Sequence, residues 1–251
     1  MAGAAALRSG AGLVRVACAS EVQSTVASFE PSYLSYPLEN DIDGVIRFEP
    51  ARQALERLSK SADVLAIGPG LGLTDDVRML VRWVVESVEL PTVIDADALN
   101  ALAGQTDVLG HLRRPVVITP HPGEFARLAE LTVAEVQTDR EMHAVALAQA
   151  ENLIVVLKGA GTVVTDGNKV YINTTGNPGM ATGGSGDVLT GVIAALLGQR
   201  LAAFEAAQLG VYIHGMAGDI ACEQNGEIGM IAGDIVDALP DAFYYLAEPQ
   251  H

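Results

Sequence analysis

The sequence predicts a three-layer α/β fold in which helices cover both faces of a mostly parallel central sheet. Two observations support this prediction. Short apolar runs alternate along the chain with longer amphipathic segments, and the short runs, such as 116–118, are continuously apolar. Such strands are typical of parallel sheets that are buried on both faces. The 251 residues are 49% hydrophobic and contain no linker, repeat or low-complexity segment, so we expect residues 1–251 to form one domain.

Helices in the first half of the chain are predicted where apolar residues recur at helical spacing. For example, Val77, Val81 and Val84 share one face of a helix over Asp75–Glu89. Strands are predicted where short apolar runs end at turn residues. The segment Pro31–Pro50 is predicted to be irregular. The other predicted elements are helices over Ala2–Leu7, Val22–Phe29 and Ala51–Leu58, and strands over Leu13–Ala17, Asp63–Ile67 and Thr92–Asp95.

The second half of the chain carries the same alternation and one hairpin. Thr132 and Glu135 have the spacing of a capping box. The turn sequence 166–168 contains a glycine between two short runs, which predicts a hairpin. The predicted elements are strands over Pro115–Thr119, Leu153–Leu157, Thr162–Thr165 and Lys169–Asn173, and helices over Phe125–Glu130, Arg140–Glu151, Val188–Leu197, Ala202–Ala221 and Ile231–Leu239.

Composition and charge exclude several classes of function. The formal net charge is −16, and no basic stripe exists to meet a nucleic-acid backbone. No apolar run reaches the ~18 residues of a membrane helix, and Arg15 interrupts the Ala-rich start, which therefore does not fit a signal peptide. Cys18 and Cys222 lack metal-type spacing, and two thiols in a chain of this size favour a reduced, cytoplasmic protein.

The stretch from Asn173 to Asp187 is the strongest functional signal. Apart from Met180 and Asp187 its side chains are small or polar, and an apolar helical run begins at Val188. A glycine-rich loop that opens onto a helix start suits a phosphate, because the free amides and the helix dipole both favour an anion. Asp187 could take a proton from a hydroxyl held against that phosphate. Alternatively, it only caps the helix.

Four polar or glycine-rich clusters follow predicted strands, and ligands of open α/β sheets bind at such carboxyl ends. The first cluster, Gly68–Gly72, could instead be a simple tight turn. In the second, Asp95 and Asp97 could share a face and hold Mg²⁺ or a proton, because alternate residues of an extended strand point the same way. Alternatively, Asp97 caps the next helix.

The third and fourth clusters contain the other candidate residues. His121 lies between two prolines and is predicted to line the pocket, while Glu124 could orient Mg²⁺ through water or only favour a helix N-terminus. Lys158 and the glycines after it could bind phosphate oxygens, although the Walker A order of residues is absent. A solvated lysine is the alternative. His214, in an Ala-rich helix, is predicted to pack in the core rather than to act in catalysis.

Residues Thr175 to Asp187 resemble the signature of the ADP-dependent NAD(P)H-hydrate dehydratases, which are repair enzymes of the ribokinase-like superfamily. The runs Asp95–Asn100 and Thr119–Glu124 are also similar to that family. The resemblance implies a ribokinase-like fold with Asp187 as the catalytic base. It also implies that the substrate is bound by Asp187, Gly70 and His121. The adenine-nucleotide ligands that it implies are Lys158, Gly159, Ala160, Gly161, Thr162, Asn177, Gly183, Gly184, Ser185 and Gly186.

The activity implied by the resemblance is dehydration of the 6S hydrate of NADH or NADPH, with ADP as co-substrate and Mg²⁺ as cofactor. Asp187 would remove the proton of the 6-hydroxyl, whose oxygen would attack the terminal phosphate of ADP; elimination would then release AMP and phosphate. The resemblance also implies a homotetramer with an NAD(P)H-hydrate epimerase as functional partner. The family usually has a strand before the helix predicted at Ala2–Leu7, so we expect such a strand to be missing from this sequence.

Two other functions fit the same residues. One is a kinase of the same superfamily for a hydroxymethyl or hydroxyethyl heterocycle, which would yield a stable phosphate ester. The other is a non-catalytic nucleotide sensor, in which replacement of Asp187 would have no consequence for turnover.

Overall fold

The computed structural model describes residues 1–110 and 112–247. A six-stranded sheet lies at the centre, in the order β3-β4-β5-β6-β7-β8, with β3 to β6 parallel and β7 and β8 forming an antiparallel hairpin beside them. A separate pair, β1 and β2, is parallel. The strands are β1 (Arg15–Ala19), β2 (Leu34–Leu38), β3 (Leu65–Ile67), β4 (Thr92–Ile94), β5 (Val116–Ile118), β6 (Ile154–Leu157), β7 (Val163–Thr165) and β8 (Val170–Ile172).

Helices cover both faces of the six-stranded sheet, which confirms the predicted three-layer α/β architecture. The described residues include no helix with the length and apolar character that a bilayer crossing requires. The helices are α1 (Ala2–Arg8), α2 (Gln23–Phe29), α3 (Phe48–Ser59), α4 (Asp75–Ser87), α5 (Ala96–Leu102), α6 (Pro122–Leu128), α7 (Val133–Thr138), α8 (Arg140–Glu151), α9 (Ser185–Gly198), α10 (Ala203–Asn225) and α11 (Ala232–Ala247).

The two faces of the sheet contribute residues to two separate hydrophobic clusters, because successive strand residues point to opposite sides. Val93, Val117 and Val156 pack against α1, α9, α10 and α11. Their neighbours, such as Ile94 and Ile118, pack against α4 to α8 on the other side. The continuously apolar strands therefore reflect burial on both faces, as expected for a parallel sheet.

The prediction that Pro31–Pro50 is irregular is wrong. β2 lies within it, and α3 begins at Phe48. β2 forms because β1 offers backbone partners, with Arg15 opposite Leu34. The local sequence did not predict this strand, because Pro37 lowers strand propensity. Proline is tolerated in a strand only where one edge needs no backbone hydrogen-bond partner.

Several helix boundaries also differ from the prediction, and three of them have an identifiable reason. α6 begins at Pro122, because proline is pre-organised for a first helical position. α9 begins at Ser185, where Gly184 in the left-handed region (φ 91°) ends the loop. α11 continues past Pro240 to Ala247, because residues beyond the proline, such as Ala242, remain buried in the core.

Helix α1 packs closely on α9 at one point where a glycine is required. A Cβ atom on Gly191 would overlap the backbone carbonyl of Ala2. At the end of the same helix, a Cβ atom on Gly198 would lie 3.4 Å from Val64 Cγ1, which is an ordinary contact.

We expect Gly191→Ala to destabilise the protein by about 1–3 kcal/mol, because forcing an extra methyl group into a packed contact outweighs the gain in helix propensity. Gly198→Ala is the matched control and should be neutral or slightly stabilising. Denaturant unfolding of both variants tests this. Equal midpoints for the two variants would contradict the close packing of α1 on α9.

Candidate active site

The carboxyl ends of β3, β4, β5 and β6 meet at one edge of the sheet, and direct contacts join the loops that follow them. The Asp95 amide donates to the Ile67 carbonyl at 3.0 Å, and the Lys158 amide donates to the Pro120 carbonyl at 2.9 Å. Gly68 (φ 136°) lies so close to the Asp95 carbonyl that a Cβ atom would overlap it. The structure thus brings the four clusters together.

Asp95 is the buried anion at the centre of this edge. Its side chain is 1% exposed. One carboxylate oxygen accepts from Lys158 Nζ at 2.7 Å, and the other accepts from Thr190 Oγ1 at 2.7 Å. A buried carboxylate needs such partners to offset its lost hydration. Asp95 therefore connects the end of β4 to the end of β6 and to helix α9.

Asp97 does not pair with Asp95, so the predicted shared carboxylate face is wrong. Ala96 has a φ of 49°, which turns the chain instead of extending it. Asp97 accepts a hydrogen bond from the Gly72 amide at 2.8 Å. It does not occupy the N-cap position of α5, which is Asp95. Asp97 instead holds the loop that contains Gly70, which is exposed and has open space around its Cα (φ 68°).

Lys158 lies under the first turn of α9. Its ammonium is 3.9 Å from Glu124 Oε2 as well as 2.7 Å from Asp95, and it is 3.1 Å from the point that a Cβ atom on Gly186 would occupy. The glycine lets the helix start rest directly on the ammonium. The alternative of a solvated lysine is wrong, because the side chain is only 19% exposed. Binding of phosphate oxygens by Lys158 remains a prediction, and its charge is already offset by Asp95.

His121 and Glu124 form the start of helix α6. His121 Nδ1 accepts from the amides of Gly123 at 2.9 Å and Glu124 at 3.3 Å, and Glu124 Oε2 accepts from the His121 amide at 2.7 Å. Glu124 is buried, whereas the His121 side chain is 52% exposed. Capping of helix α6 is sufficient to explain how both side chains are arranged. Their predicted roles in substrate and Mg²⁺ binding remain predictions. Of the two side chains, only the exposed ring of His121 is directly accessible to a ligand.

The glycine-rich loop ends in a left-handed turn that starts α9. Gly183 is exposed, with nothing within 4 Å of the point that a Cβ atom would occupy, and Gly184 adopts a φ of 91°. The first amides of a helix have no partner within the helix, although the Ser185 amide donates weakly to the Thr182 carbonyl of the loop at 3.3 Å. With the helix dipole behind them, they form a ready site for an anion. Ser185 is buried here and Gly186 sits over Lys158.

Asp187 is the third residue of α9 and has a half-buried side chain. Among the described residues, none donates a hydrogen bond to its carboxylate. Burial raises the pKa of Asp187 above its ordinary value, and the negative charge of Asp95 raises it further, while nearby cations, including Lys158, oppose this rise. The carboxylate is therefore a free base with increased proton affinity, and helix capping does not describe it.

The loop after β6, Lys158–Thr162, is held from behind by Arg140. The guanidinium donates to the carbonyls of Ala160 at 2.6 Å, Leu157 at 2.8 Å and Lys158 at 3.1 Å. Gly159 (φ 141°) leaves room for it, since a Cβ atom there would lie 3.1 Å from the guanidinium. Thr162 Oγ1 closes the loop by donating to the Gly159 carbonyl at 3.0 Å. The carbonyls thus point toward Arg140, and Gly161 (φ 63°) completes the turn.

Asn177 is turned toward helix α10 rather than toward the edge of the sheet. Its Nδ2 donates to the Gly218 carbonyl and to Asp219 Oδ1, both at 3.0 Å, and its Oδ1 accepts from the Gly179 amide at 3.1 Å. The side chain is fully used within the protein. Its predicted contact with the nucleotide remains a prediction.

Sequence reasoning missed three residues that shape the site and underrated a fourth. Nothing in the spacing singled out Arg140. Thr190 and Asp219 were detectable as isolated polar residues within apolar or small-residue helices. His214 was expected only to pack in the core, but its Nε2 lies 3.3 Å from Ser185 Oγ. Burial lowers the pKa of His214 to about 4, so its imidazole is neutral near pH 7.

The donor set suits Mg²⁺ only as a companion of a nucleotide. Among residues 1–110 and 112–247, no group of three or more His, Cys, Asp or Glu side chains is arranged to bind a metal ion. Mg²⁺ is usually bound by one or two carboxylates together with waters and substrate phosphates. The residues therefore fit an ion that is held chiefly by phosphate oxygens and that reaches a protein carboxylate through water.

Comparison with known sequences identifies a family. The profile of the NAD(P)H-hydrate dehydratase family matches residues 1–241. A bifunctional NAD(P)H-hydrate repair enzyme of Moorella thermoacetica is 48% identical over 250 residues, which cover 99% of this chain and 47% of the relative. The chain thus spans about half the length of the curated relatives it matches.

Solved structures with the same fold include an ADP/ATP-dependent NAD(P)H-hydrate dehydratase from Bacillus subtilis, co-crystallised with ATP/Mg²⁺ and soaked with CoA. It is 29% identical, has a TM-score of 0.80, and covers 97% of this chain, which in turn covers 85% of it. A ribokinase-like superfamily protein of Enterococcus faecalis is 28% identical with a TM-score of 0.82, over 99% of this chain and 82% of that one. These likenesses confirm the ribokinase-like fold.

We expect Lys158→Met to destabilise the protein by about 3 kcal/mol, because it leaves the buried Asp95 carboxylate without a counter-charge. Lys169→Met is the matched control: Lys169 pairs with Glu205 at 3.3 Å, but the two side chains are 61% and 50% exposed. Its loss should cost under about 1 kcal/mol. Denaturant unfolding tests both variants. A Lys158→Met variant that is as stable as the control would contradict the importance of the buried pair.

Proposed function

This chain belongs to the NAD(P)H-hydrate dehydratase family, and we propose that it dehydrates the 6S hydrate of NADH or NADPH with consumption of ADP. The observation that carries this proposal is the free carboxylate of Asp187 in the first turn of α9, beside amides that suit a phosphate. A base and an anion site in adjacent positions fit transfer of a phosphoryl group to a hydroxyl.

In the proposed first step, Asp187 takes the proton of the substrate's 6-hydroxyl. The hydroxyl oxygen forms a bond to the terminal phosphorus of ADP, and the bond from that phosphorus to the bridging oxygen breaks, so AMP leaves. The charge on the transferring group is stabilised by the amides of Gly183, Gly184, Ser185 and Gly186. The raised pKa of Asp187 makes its carboxylate a better proton acceptor than an exposed aspartate.

In the proposed second step, the phosphorylated oxygen leaves as phosphate. The neighbouring ring carbon loses a proton to the released phosphate or to water, and the double bond of the dihydropyridine is restored. Gly70 and His121 are proposed to contact the substrate, because the exposed glycine loop and the half-exposed imidazole border the same edge of the sheet. Exclusion of water by the bound substrate would further favour elimination over hydrolysis.

The loop of Lys158, Gly159, Ala160, Gly161 and Thr162 is proposed to bind the adenine nucleotide together with Asn177. Mg²⁺ would offset phosphate charge in this protein of net charge −16, and Glu124 would reach it through water. The B. subtilis relative is described as ADP/ATP-dependent. ADP is the proposed donor here, and ATP is the comparison to make.

We also propose the wider context that the family resemblance implies. Residues 1–251 would form one catalytic domain, assemble as a tetramer, and act in the cytoplasm beside an NAD(P)H-hydrate epimerase. The related enzyme of M. thermoacetica is described as bifunctional, which supports a second repair activity that works with this one. The free thiols of Cys18 and Cys222 suit a reducing compartment.

We expect Asp187→Asn to lower kcat by roughly 10²–10⁴-fold, because the amide cannot accept the hydroxyl proton. The measurement is the rise of reduced-nicotinamide absorbance with hydrated NADPH, Mg²⁺ and ADP or ATP. Binding of ADP should be unchanged. The control variant is Asp63→Asn, which removes one exposed negative charge near the opposite end of β3 and should leave kcat unchanged. Absence of turnover by the wild-type protein with either nucleotide would contradict the proposed activity.

The acid limb of the pH profile should follow Asp187. Because its pKa is raised above 3.8, activity should fall, as the pH decreases, at a higher pH than an ordinary aspartate would give. Asp95→Asn should move this limb to lower pH, because it removes a like charge and leaves Lys158 unpaired nearby. A pH profile of kcat/KM for both proteins tests this. A limb that does not move would show that another group controls it.

A further inference from the structure

One face of helix α10 is shaped to receive the glycine-rich loop. A Cβ atom on Gly215 would overlap the Thr175 hydroxyl, and one on Gly218 would overlap the sulfur of Met180. The Thr175 hydroxyl donates to the Tyr212 carbonyl at 2.9 Å. The two glycines therefore let the loop approach the helix backbone directly, which fixes the distance between them.

Asp219 on this face holds the beginning of the loop. Its Oδ2 accepts from the Gly176 amide at 2.8 Å, and its Oδ1 accepts from Asn177 Nδ2 at 3.0 Å. Gly176 has a φ of 101°, a conformation that favours glycine and that depends on its surroundings. Asn177 in turn accepts from the Gly179 amide at 3.1 Å. One carboxylate thus determines the direction of the chain over several residues.

His214 on the same helix holds the end of the loop. Its Nε2 lies 3.3 Å from Ser185 Oγ, and Ser185 is the first residue of α9 and is buried. Asp187 follows two residues later. A shift of Ser185 would therefore move both the amides of the first helical turn and the carboxylate of Asp187.

We propose that His214 and Asp219 are positioning residues, which fix the two ends of the glycine-rich loop so that its amides and Asp187 keep their mutual geometry. The catalytic consequence rests on the proposed function, whereas the structural part does not. Neither residue touches the substrate in this proposal. Each acts through the loop: Asp219 through Gly176 and Asn177, and His214 through Ser185.

Two substitutions at each position separate positioning from packing. His214→Leu removes the polar contact, whereas His214→Gln keeps a polar atom at similar reach. Asp219→Ala removes both acceptors, whereas Asp219→Asn keeps one for the Gly176 amide. The matched controls on α10 are Ile213→Val, which alters a core residue next to His214, and Glu223→Ala, which removes an exposed acid one turn after Asp219.

Kinetics with hydrated NADPH and ADP give the first readout. His214→Leu and Asp219→Ala should lower kcat about 10- to 100-fold with KM for ADP changed less than about threefold, because a small misplacement of reacting groups slows the chemical step. His214→Gln and Asp219→Asn should recover most of kcat, and both controls should match the wild type. In a Ser185→Ala background, His214→Leu should have little further effect, because the two act through one contact.

Hydrogen exchange of the whole protein gives a second readout that needs no turnover. Peptides that cover residues 173–187 should exchange about tenfold faster in His214→Leu and Asp219→Ala and not in the controls, while the rest of the protein stays protected. Unchanged exchange in the loop, or faster exchange everywhere, would overturn the proposal. Absence of dehydratase activity in the wild-type protein would contradict the proposed function. Hydrogen exchange of residues 173–187 would still decide whether His214 and Asp219 hold the loop.

Discussion

The ion pair between Asp95 and Lys158 is the interaction on which the rest of the site depends. It joins the ends of β4 and β6, and through Thr190 it reaches helix α9. Gly186 permits this arrangement, since any side chain there would meet the ammonium. The two charged groups are so buried that water could not take the place of either partner without a large cost in free energy. The position of the first turn of α9, and so of the proposed anion site, therefore depends on a charge interaction below it.

The sequence predicted the architecture well because its signals were of the kind that tertiary context seldom overrides. Continuous apolar runs such as Val116–Ile118 identified parallel strands, whereas the anion site predicted from the glycines and Asp187 stays a prediction. β2 was missed because a strand with a proline forms only when a partner strand is present. Contacts between distant residues, such as Arg140 with Ala160, left no local pattern to detect.

The distribution of charge explains how so acidic a protein could offer the proposed site to an anion. Lys158 is neutralised by Asp95 and approached by Glu124, so the protein itself supplies little free positive charge to the proposed site. What remains is a set of backbone amides and the positive end of α9. Amides have fixed directions and carry no net charge, so they favour a phosphate of defined geometry rather than anions in general.

Burial also accounts for the state of Asp187. It is the leading cause of the raised pKa of this carboxyl, and the negative charge of Asp95 is the next largest. A carboxylate without a donor from the described protein has no hydrogen bond to break before it accepts a proton from a substrate hydroxyl. Arrival of the substrate would remove more water and so strengthen the base further. In the proposed reaction, Asp187 thus becomes more basic when the hydroxyl that it would deprotonate is in place.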